Sequence, residues 1–269
     1  MSGTLFVVGT PIGNLGDITY RAVEVLTNAD VIACEDTRHT LGLLNYLSVK
    51  KPLISYYKQK EKEGSVAICR LLEEGKNVAL VSDAGMPCVS DPGACVVKEA
   101  RENGFNVAVV PGPTAVTTAA ALCGLPSGFV FVGFLPDKKK EFEKALSPFI
   151  SSPLPLVFYT APHDLSRTLL RLYDFFGARQ YYAVKELTKI HESVLRGVLG
   201  EDDIEEPKGE FVLIVMPETK KETEPTEEEI VSALKERIDA GEDKKSAVKS
   251  VSEQFSVSKN TVYKLSLTL

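Results

Sequence analysis

Three segments of this chain share one pattern, in which a short run of β-forming residues breaks abruptly into a loop rich in glycine and proline. The runs are Leu5–Val8, Val78–Val81 and Val107–Val110. Helical stretches separate them, and strands that alternate with helices predict a parallel sheet. Ligands bind at the carboxyl ends of the strands in such sheets. Because glycine lets a backbone approach a ligand and proline stiffens the loop around it, the three loops predict one small-molecule pocket.

The common nucleotide-binding motifs do not fit these loops. The first loop, residues 9–17, lacks the G-x-G-x-x-G spacing, and Pro11 stands where that turn needs a backbone donor. No G-x-x-x-x-G-K-[ST] phosphate loop occurs in the sequence. The loops could also be plain tight turns, for which glycine and proline are equally suited. Their shared strand–loop–helix context favours the pocket, and with it an enzyme.

The composition is that of an ordinary soluble globular protein. The chain has 269 residues, of which 44% are hydrophobic and 25% charged, and it has no apolar run of the roughly 18 residues that a membrane helix needs. The sequence starts directly with a predicted strand, without a signal segment, so we expect a cytoplasmic protein. The five cysteines include no C-x-x-C pair, which argues against a disulfide framework and a metal site.

The charge is unevenly distributed. The formal net charge is −6, which is not typical of a protein that binds phosphates. Residues 244–269, however, carry five lysines and one glutamate, a net charge of +4, so the rest of the chain carries −10. Any contact with a nucleic acid must therefore come from basic clusters.

The order of predicted elements divides the chain into an α/β domain at residues 1–115, a second α/β domain at 116–216, a polar linker at 217–225 and a helical tail at 226–269. In the first domain, helices are predicted near Tyr20–Asn28, Thr40–Leu47, Ser65–Glu74 and Ala94–Asn103. In the second, strands at Tyr181–Glu186 and Ser193–Leu199 follow each other without a helix. That succession predicts a mixed sheet.

The tail resembles a helix-turn-helix. Thr226 and Glu229 form a capping-box pattern at the start of a helix, and Ser258 is placed to cap a last helix that presents Lys259, Tyr263 and Lys264. Such a helix pair is typical of nucleic-acid binding. An appendage that packs on the body or mediates dimer contacts would have the same pattern.

Longer motifs resemble the tetrapyrrole methylase superfamily, and within it the branch that methylates small-subunit ribosomal RNA. The matching stretches are residues 9–17, 34–40, 82–87, 90–93, 111–115, 131–136, 185–192 and 208–212. The resemblance covers about the first 216 residues. It implies a two-domain tetrapyrrole methylase-like fold, S-adenosylmethionine as cofactor, methylation of a cytidine ribose 2′-hydroxyl, and a homodimer that acts on small-subunit rRNA or the assembled small subunit.

By the same resemblance, the cofactor-binding residues are Pro11, Asp83, Ala84, Gly85, Met86, Cys88, Val89, Ser90, Pro113, Thr114, Ala115, Tyr159, Thr160 and Ala161. Other roles are open for three of them. Asp83 could stabilise its loop as an Asx turn, and Met86 could be a core residue. Cys88 fits a small pocket-lining side chain better than a nucleophile, because no neighbouring His or Lys would activate it.

The acceptor side of the reaction needs a group that removes the hydroxyl proton. The candidates are Glu35 and Asp36 after the second strand, and Lys185, Glu186 and His191 in the second domain; the sequence does not choose among them. Asp36 could instead cap a helix in an ion pair with Arg38. The candidate RNA contacts are Arg38, Lys138, Lys139, Lys140, Lys189, Lys259, Tyr263 and Lys264.

Two other functions use the same features. A methyltransferase that acts on a tetrapyrrole or another small molecule would have the same cofactor pocket, although it would not need the basic tail. A ligand-sensing DNA-binding regulator would use the tail as its reader. A complete two-domain pocket makes the tail look auxiliary, which favours the RNA methyltransferase.

Overall fold

The computed structural model describes residues 2–125, 128–201, 209–218, 225–255 and 257–269. The chain divides into two compact units, residues 1–218 and residues 219–269. Two five-stranded sheets lie in the first unit. The domain boundaries predicted near residues 115 and 216 stay predictions, and most of the predicted linker at 217–225 lies outside the described residues.

The first sheet is entirely parallel, as predicted. Its strands are β1 (Thr4–Val8), β2 (Val31–Cys34), β3 (Leu53–Ser55), β4 (Val78–Leu80) and β5 (Asn106–Val110), in the order β3-β2-β4-β1-β5. Strands β1, β4 and β5 lie within one residue of the three runs predicted from the sequence. Consequently β1, β4 and β5, which precede the three glycine-rich loops, are neighbours, and their loops meet at one edge.

Helices cover both faces of this sheet. They are α1 (Tyr20–Asn28), α2 (Thr37–Tyr46), α3 (Glu61–Glu73) and α4 (Ala94–Glu102). One core contains Leu26 of α1 and Leu44 of α2, and the opposite core contains Leu72 of α3 and Val96 of α4. Burial on both faces explains why the strands are continuous apolar runs rather than alternating ones.

The second sheet is mixed, as predicted. Its strands are β6 (Val130–Phe134), β7 (Leu156–Thr160), β8 (Gln180–Lys185), β9 (Ser193–Val198) and β10 (Phe211–Val215), in the order β6-β7-β10-β8-β9. Strands β6 and β7 are parallel, whereas β10 is antiparallel to β7 and β8. The amino end of β10 therefore lies beside the carboxyl ends of β7 and β8, with Phe211 opposite Thr160 and Lys185.

Three helices accompany the second sheet. Helix α5 (Ala115–Leu122) contributes Val116 and Ala119 to the core on one face. On the other face, α6 (Lys139–Leu146) and α7 (Leu165–Phe176) bury Phe142 and Leu169. In this way α5 starts from the third glycine-rich loop and packs on the second sheet.

The tail unit forms a small core of its own. Helices α8 (Glu227–Asp239), α9 (Lys244–Phe255) and α10 (Lys259–Ser266) bury Leu234, Val251 and Val262 together. The predicted capping box is present: the Thr226 hydroxyl accepts from the Glu229 amide, and the Glu229 carboxylate accepts from the Thr226 amide. Ser258 caps α10, also as predicted.

Across the ranges that the structure describes, no helix combines the length and the apolar character needed to cross a membrane.

Candidate active site

The three glycine-rich loops are joined by backbone contacts at the carboxyl edge of the first sheet. The Thr10 amide donates to the Gly85 carbonyl at 2.8 Å, and the Gly85 amide donates to the Thr10 carbonyl at 3.1 Å. The Gly9 amide donates to the Val110 carbonyl at 3.0 Å. A β-carbon on Gly9 would stand 2.7 Å from the Gly112 Cα, so the close approach of the first and third loops requires glycine.

The loop after β4, residues 81–93, has a constrained backbone. Cys88 and Ser90 have positive φ angles of 70° and 67°, which are costly for residues other than glycine. Its end is fixed because the Gly93 amide donates to the Glu61 carboxylate at 2.9 Å. Backbone strain of this kind persists where the surroundings hold it, and it concentrates at functional sites.

A cavity of about 290 Å³ opens between the joined loops and the second sheet. Most of its wall is apolar, and the few polar side chains in it come from widely separated parts of the chain. The lining residues are Ile12, Ala84, Gly85, Met86, Val89, Asp91, Thr114, Ala115, Phe134, Tyr159, Thr160, Ala161, Pro162, Val184, Leu187, Glu210, Phe211 and Val212. Apolar walls with few convergent polar groups are typical of small-molecule sites.

Thr160 supplies an unused polar atom in this wall. Its side chain is only 6% exposed, and its Oγ1 has no hydrogen-bond partner. A buried hydroxyl without a partner costs free energy, so such groups are usually satisfied by water or a ligand. Thr160 is therefore available to a molecule bound in the cavity.

Aromatic side chains form another part of the wall. Tyr159 packs edge-to-face against Phe131 and Phe134, with ring centroids 4.9 and 5.5 Å away. Burial raises the pKa of Tyr159, although the Val116 backbone N–H donates to its hydroxyl and opposes the shift. The tyrosine is therefore neutral at physiological pH and presents a rigid apolar ring.

Nine of the predicted cofactor-binding residues line the cavity: Ala84, Gly85, Met86, Val89, Thr114, Ala115, Tyr159, Thr160 and Ala161. Pro11 and Asp83 line a smaller adjacent cavity together with His39. Cys88, Ser90 and Pro113 belong to the same loops but are not among the described residues that line either cavity. The assignment of individual residues to a cofactor remains a prediction.

The part of the wall near β8 and β10 was not predicted from the sequence. Val184 lies near the end of β8, Leu187 follows that strand, and Phe211 and Val212 begin β10. These are ordinary core residues in sequence, and only the antiparallel pairing brings them to this edge.

Asp91 was missed as well, although it lies in a motif that carried the family resemblance. Burial, and then the charges of Glu35 and Asp83, raise the pKa of Asp91 to about 6, while a hydrogen bond with Ser82 opposes the shift. Burial and Asp83 likewise raise the pKa of Glu35, which Lys58 partly offsets. Three carboxylates thus interact beside the cavity, and Asp91 is the one that lines it.

Asp36 caps a helix and forms an ion pair with Arg38, which is the alternative role that the sequence suggested for it. Its carboxylate caps α2 by accepting from the Arg38 amide at 2.8 Å, and it also accepts from the guanidinium at 3.1 and 2.7 Å. Mainly because of the guanidinium hydrogen bond, the pKa of Asp36 falls to about 2. A carboxylate with so low a pKa, already hydrogen-bonded to Arg38, is a weak proton acceptor. The Arg38 side chain itself is 90% exposed to solvent.

Among the candidate bases of the second domain, Glu186 is held in hydrogen bonds that stabilise the fold. Glu186 accepts from the Glu210 amide and from the Lys189 ammonium, both at 2.9 Å, and the former contact is the main cause of its lowered pKa. Lys189 also contacts the Glu210 carboxylate at 2.8 Å. Lys185 lies at the end of β8 outside the lining residues, and His191 is exposed.

Six of the eight predicted RNA contacts, all except Arg38 and Lys189, fall into two groups. Lys138 and Lys139 are exposed but lie 3.3 and 3.9 Å from Glu141 and Glu143, and neighbouring Lys140 is exposed. In the tail, Lys259 and Tyr263 line a groove of α9 and α10 together with Lys244, Lys245 and Lys249; Lys264 follows Tyr263 on α10. The groove is the denser positive surface.

As for metals, the parts of the chain that the structure describes contain no group of three His, Cys, Asp or Glu side chains suited to hold an ion.

Comparison with known proteins gives consistent results. A profile of the family described as "Tetrapyrrole (Corrin/Porphyrin) Methylases" matches residues 4–203. The "Ribosomal RNA small subunit methyltransferase I" of Bacillus subtilis is 38% identical over 271 residues, which cover 97% of this chain and 93% of that protein. The protein of the same name from Thermotoga maritima is 42% identical, over 79% of this chain and 98% of that protein.

Solved structures share the fold at lower identity. Diphthine synthase superposes with a TM-score of 0.65 at 16% identity, covering 81% of this chain and 91% of that one. Uroporphyrin-III C-methyltransferase from Thermus thermophilus, complexed with S-adenosyl homocysteine, superposes with a TM-score of 0.56 at 21% identity, covering 80% of this chain and 97% of that one.

Proposed function

Since the chain belongs to the ribosomal RNA small subunit methyltransferase I family of the tetrapyrrole methylases, we propose that it transfers a methyl group from S-adenosylmethionine to the ribose 2′-oxygen of a cytidine in small-subunit rRNA. The main support for this proposal is the cavity at the joined loops. Its walls suit an adenosine, and the hydroxyl of Thr160 in its wall has no hydrogen-bond partner. Free rRNA and the assembled small subunit both remain possible substrates.

The residues of the cavity fit S-adenosylmethionine. Tyr159, Ala161 and Val212 offer apolar surface for an adenine ring, and the Thr160 hydroxyl can bond a polar atom of the nucleoside. Thr114 caps α5 at the cavity rim, where the helix N-terminus favours negative groups such as a carboxylate. When bound, S-adenosylmethionine supplies a methyl group that its sulfonium already activates, so a metal need not take part.

We assign the other predicted cofactor residues to supporting the same site. Pro11 and Asp83 lie beside the cavity, and Cys88, Ser90 and Pro113 shape the loops that form its walls. The protein must hold the acceptor oxygen in line with the methyl carbon, and a pocket with a constrained backbone suits this task.

Basic residues near the cavity and in the tail would hold the RNA. Arg38 is exposed at the carboxyl edge of the first sheet, and Lys138–Lys140 precede or begin α6. Lys189 is a weaker candidate, because it is bridged to Glu186 and Glu210. Lys259, Tyr263 and Lys264 are stronger candidates, since α9 adds three lysines to the same groove.

We further propose that the protein acts in the cytoplasm as a homodimer. Strand β5 is an edge of the first sheet, and next to it Tyr20 is 98% exposed and Val109 half exposed. The Arg21 guanidinium donates to the Val109 carbonyl at 2.9 Å, which ties the start of α1 to this edge strand. Light scattering on the purified chain measures the assembly state directly.

The proposed reaction is tested with labelled S-adenosylmethionine and three acceptors side by side: small subunits that lack the modification, free small-subunit rRNA and a tetrapyrrole precursor. We expect label in rRNA only, and nuclease digestion should release it as 2′-O-methylcytidine. Label on a base, or on the tetrapyrrole, would reject the proposal.

The site is tested with a matched pair of variants. Ala84→Arg places a long cation in the cavity wall and should abolish S-adenosylmethionine binding in calorimetry without lowering the melting temperature. Ala240→Arg changes an equally exposed alanine at the end of α8 and should bind normally. Unchanged affinity in Ala84→Arg would place the cofactor elsewhere.

A further inference from the structure

Asp91 is a carboxylate in the wall of the cavity to which no role has been assigned above. The loop that carries it is constrained by the positive φ angles of Cys88 and Ser90. Two residues later, the Gly93 amide is bound to the Glu61 carboxylate, and a β-carbon on Gly93 would stand 2.6 Å from the Cys88 sulfur. The backbone around Asp91 is therefore fixed in place before any ligand binds.

The groups that face Asp91 come from three sides. Glu35 follows β2, Ser82 and Asp83 follow β4, and Tyr159 lies on β7. Ser82 favours the charged carboxylate and lowers its pKa, whereas Glu35 and Asp83 repel its charge and raise it. Burial is the largest influence, and together these groups raise the pKa of Asp91 to about 6. A carboxylate in such surroundings holds a proton more readily than an ordinary aspartate does.

The other carboxylates near the cavity are less suited to take a proton. Glu210 also lines the wall, but its Oε2 contacts the Lys189 ammonium at 2.8 Å. Glu35 has a raised pKa but is not among the described residues that line the cavity. Asp36 is occupied by Arg38.

A second residue of the same wall suits a bound ligand. Thr160 lines the cavity, is more than nine-tenths buried, and its hydroxyl has no partner. A ligand in this cavity would lie against both Thr160 and Asp91.

We propose that Asp91 is the general base of the methyl transfer, accepting the proton of the acceptor hydroxyl; this assignment rests on the proposed function. In the step, a lone pair of the hydroxyl oxygen forms the new bond to the methyl carbon. The carbon–sulfur bond breaks and its electron pair stays on sulfur, which becomes a neutral thioether. The hydroxyl proton passes to a carboxylate oxygen of Asp91, so that charge and atoms balance.

The test measures the pH dependence of single-turnover methyl transfer to small-subunit rRNA, together with calorimetric S-adenosylmethionine affinity. The wild-type rate should fall below about pH 6, where Asp91 is protonated. In Asp91→Asn the rate should drop about 100-fold, in the usual range for a lost general base. The fall in rate at low pH, which is the acid limb of the pH–rate profile, should also disappear. Cofactor affinity should remain close to wild type, and the variant should not unfold at a lower temperature than wild type. Asp174→Asn, an exposed carboxylate in α7, serves as the matched control.

Two further variants separate a catalytic role from a structural one. In Asp91→Ala, added formate should restore part of the rate, because a small carboxylate can take the vacated place. Glu35→Gln removes a repelling charge and should move the acid limb to lower pH without abolishing it. An acid limb that vanishes in Glu35→Gln but persists in Asp91→Asn would make Glu35 the base and overturn the assignment.

Other outcomes would also overturn it. Lost cofactor affinity in Asp91→Asn would make the residue a cofactor ligand, and a slow variant with an unchanged acid limb and no formate rescue would make it a positioning residue. These results differ from a failure of the proposed function, in which the wild-type protein itself forms no 2′-O-methylcytidine.

Discussion

Gly9 and Gly112 lie so close together that a β-carbon on either one would stand 2.7–2.9 Å from backbone atoms of the other. Gly9 follows β1 and Gly112 follows β5, so the contact joins two loops about 100 residues apart. Real β-carbons do not approach a backbone this closely, and neither loop has a flexible side chain there that could move away.

Gly112→Ala should therefore separate the first and third loops. We expect a loss of about 1–3 kcal/mol in unfolding free energy, the usual cost of overpacking, and at least a tenfold weaker binding of S-adenosylmethionine. Urea denaturation and calorimetry measure the two effects. Gly42→Ala is the control, because nothing lies within 4 Å of a β-carbon at this exposed position in α2; it should be neutral or stabilising by about 0.5–1 kcal/mol. Normal cofactor binding by Gly112→Ala would show that the loops tolerate separation.

Glu186 should act as a structural anchor rather than a base. Removing its carboxylate leaves the Glu210 amide without its acceptor and leaves the Lys189 ammonium with the Glu210 carboxylate alone, so Glu186→Ala should cost about 1–3 kcal/mol of unfolding free energy. The isosteric Glu186→Gln should keep the acid limb of the pH–rate profile. Glu24→Gln, exposed in α1, controls for loss of a charge. If the acid limb disappeared in Glu186→Gln and in no other variant, Glu186 would again be a candidate for the general base.

The raised pKa of Asp91 makes a separate prediction about stability. Its pKa in the folded protein is about 6, above the value of about 3.9 in an unfolded chain. The folded state thus holds the proton more tightly, and stability from this group is complete at low pH and is lost as the pH rises from about 4 to 6.

Asp91→Asn should remove that loss. Relative to wild type, the variant should gain about 1 kcal/mol of unfolding free energy between pH 4.5 and 7, a modest value because solvent screens a partly exposed carboxylate. The corresponding difference in melting temperature is about 2–4 °C. Comparing two proteins at each pH cancels the opposite contribution of Asp36. A constant difference across this range would mean that Asp91 titrates normally.

The tail should contribute to RNA binding and little to methyl transfer. Replacing Lys245, Lys249 and Lys259 with alanine removes three charges from the groove, which should reduce the salt slope of rRNA binding by about three units. Lys235→Ala in α8, outside that groove, should change the slope by at most about one unit. Filter binding between 50 and 200 mM salt is the measurement.

Deleting residues 226–269 should have the same effect on RNA while leaving S-adenosylmethionine affinity intact. If the truncated protein loses its cofactor site or dissociates into monomers, the tail is a packing or dimerisation element.

The ends of β1, β4 and β5 could be predicted within one residue because loops rich in glycine and proline follow them. Helix starts were less accurate: α2 begins at Thr37, three residues earlier than predicted, because Asp36 caps it with its side chain. That cap depends on the same hydrogen bonds that tie Asp36 to Arg38. Local residue types therefore predict where a strand stops better than they predict which of several polar residues caps a helix.

Most of the candidate site that could be predicted is made of loops, although the family resemblance also implied Tyr159 and Thr160 of β7. Ala84 and Thr114 follow strands directly and line the cavity as the motif suggested. Phe211 reaches the cavity because β10 runs antiparallel between β7 and β8, a pairing that local periodicity does not encode. The pKa of Asp91 depends on charges 8 and 56 positions away in sequence, so its surroundings could not be predicted from its own motif.

The pairing of β1 with β5, which aligns Thr4 with Asn106, determines when the cavity can exist during synthesis. The ribosome makes the first loop early, but its neighbour across the sheet emerges about 100 residues later, and Val212 of the cavity wall later still. Closing such long separations is slow and costs chain entropy. A nascent chain therefore stays unable to bind a small molecule until almost all of its first 218 residues are available, so this binding capacity marks a finished fold rather than a partial one.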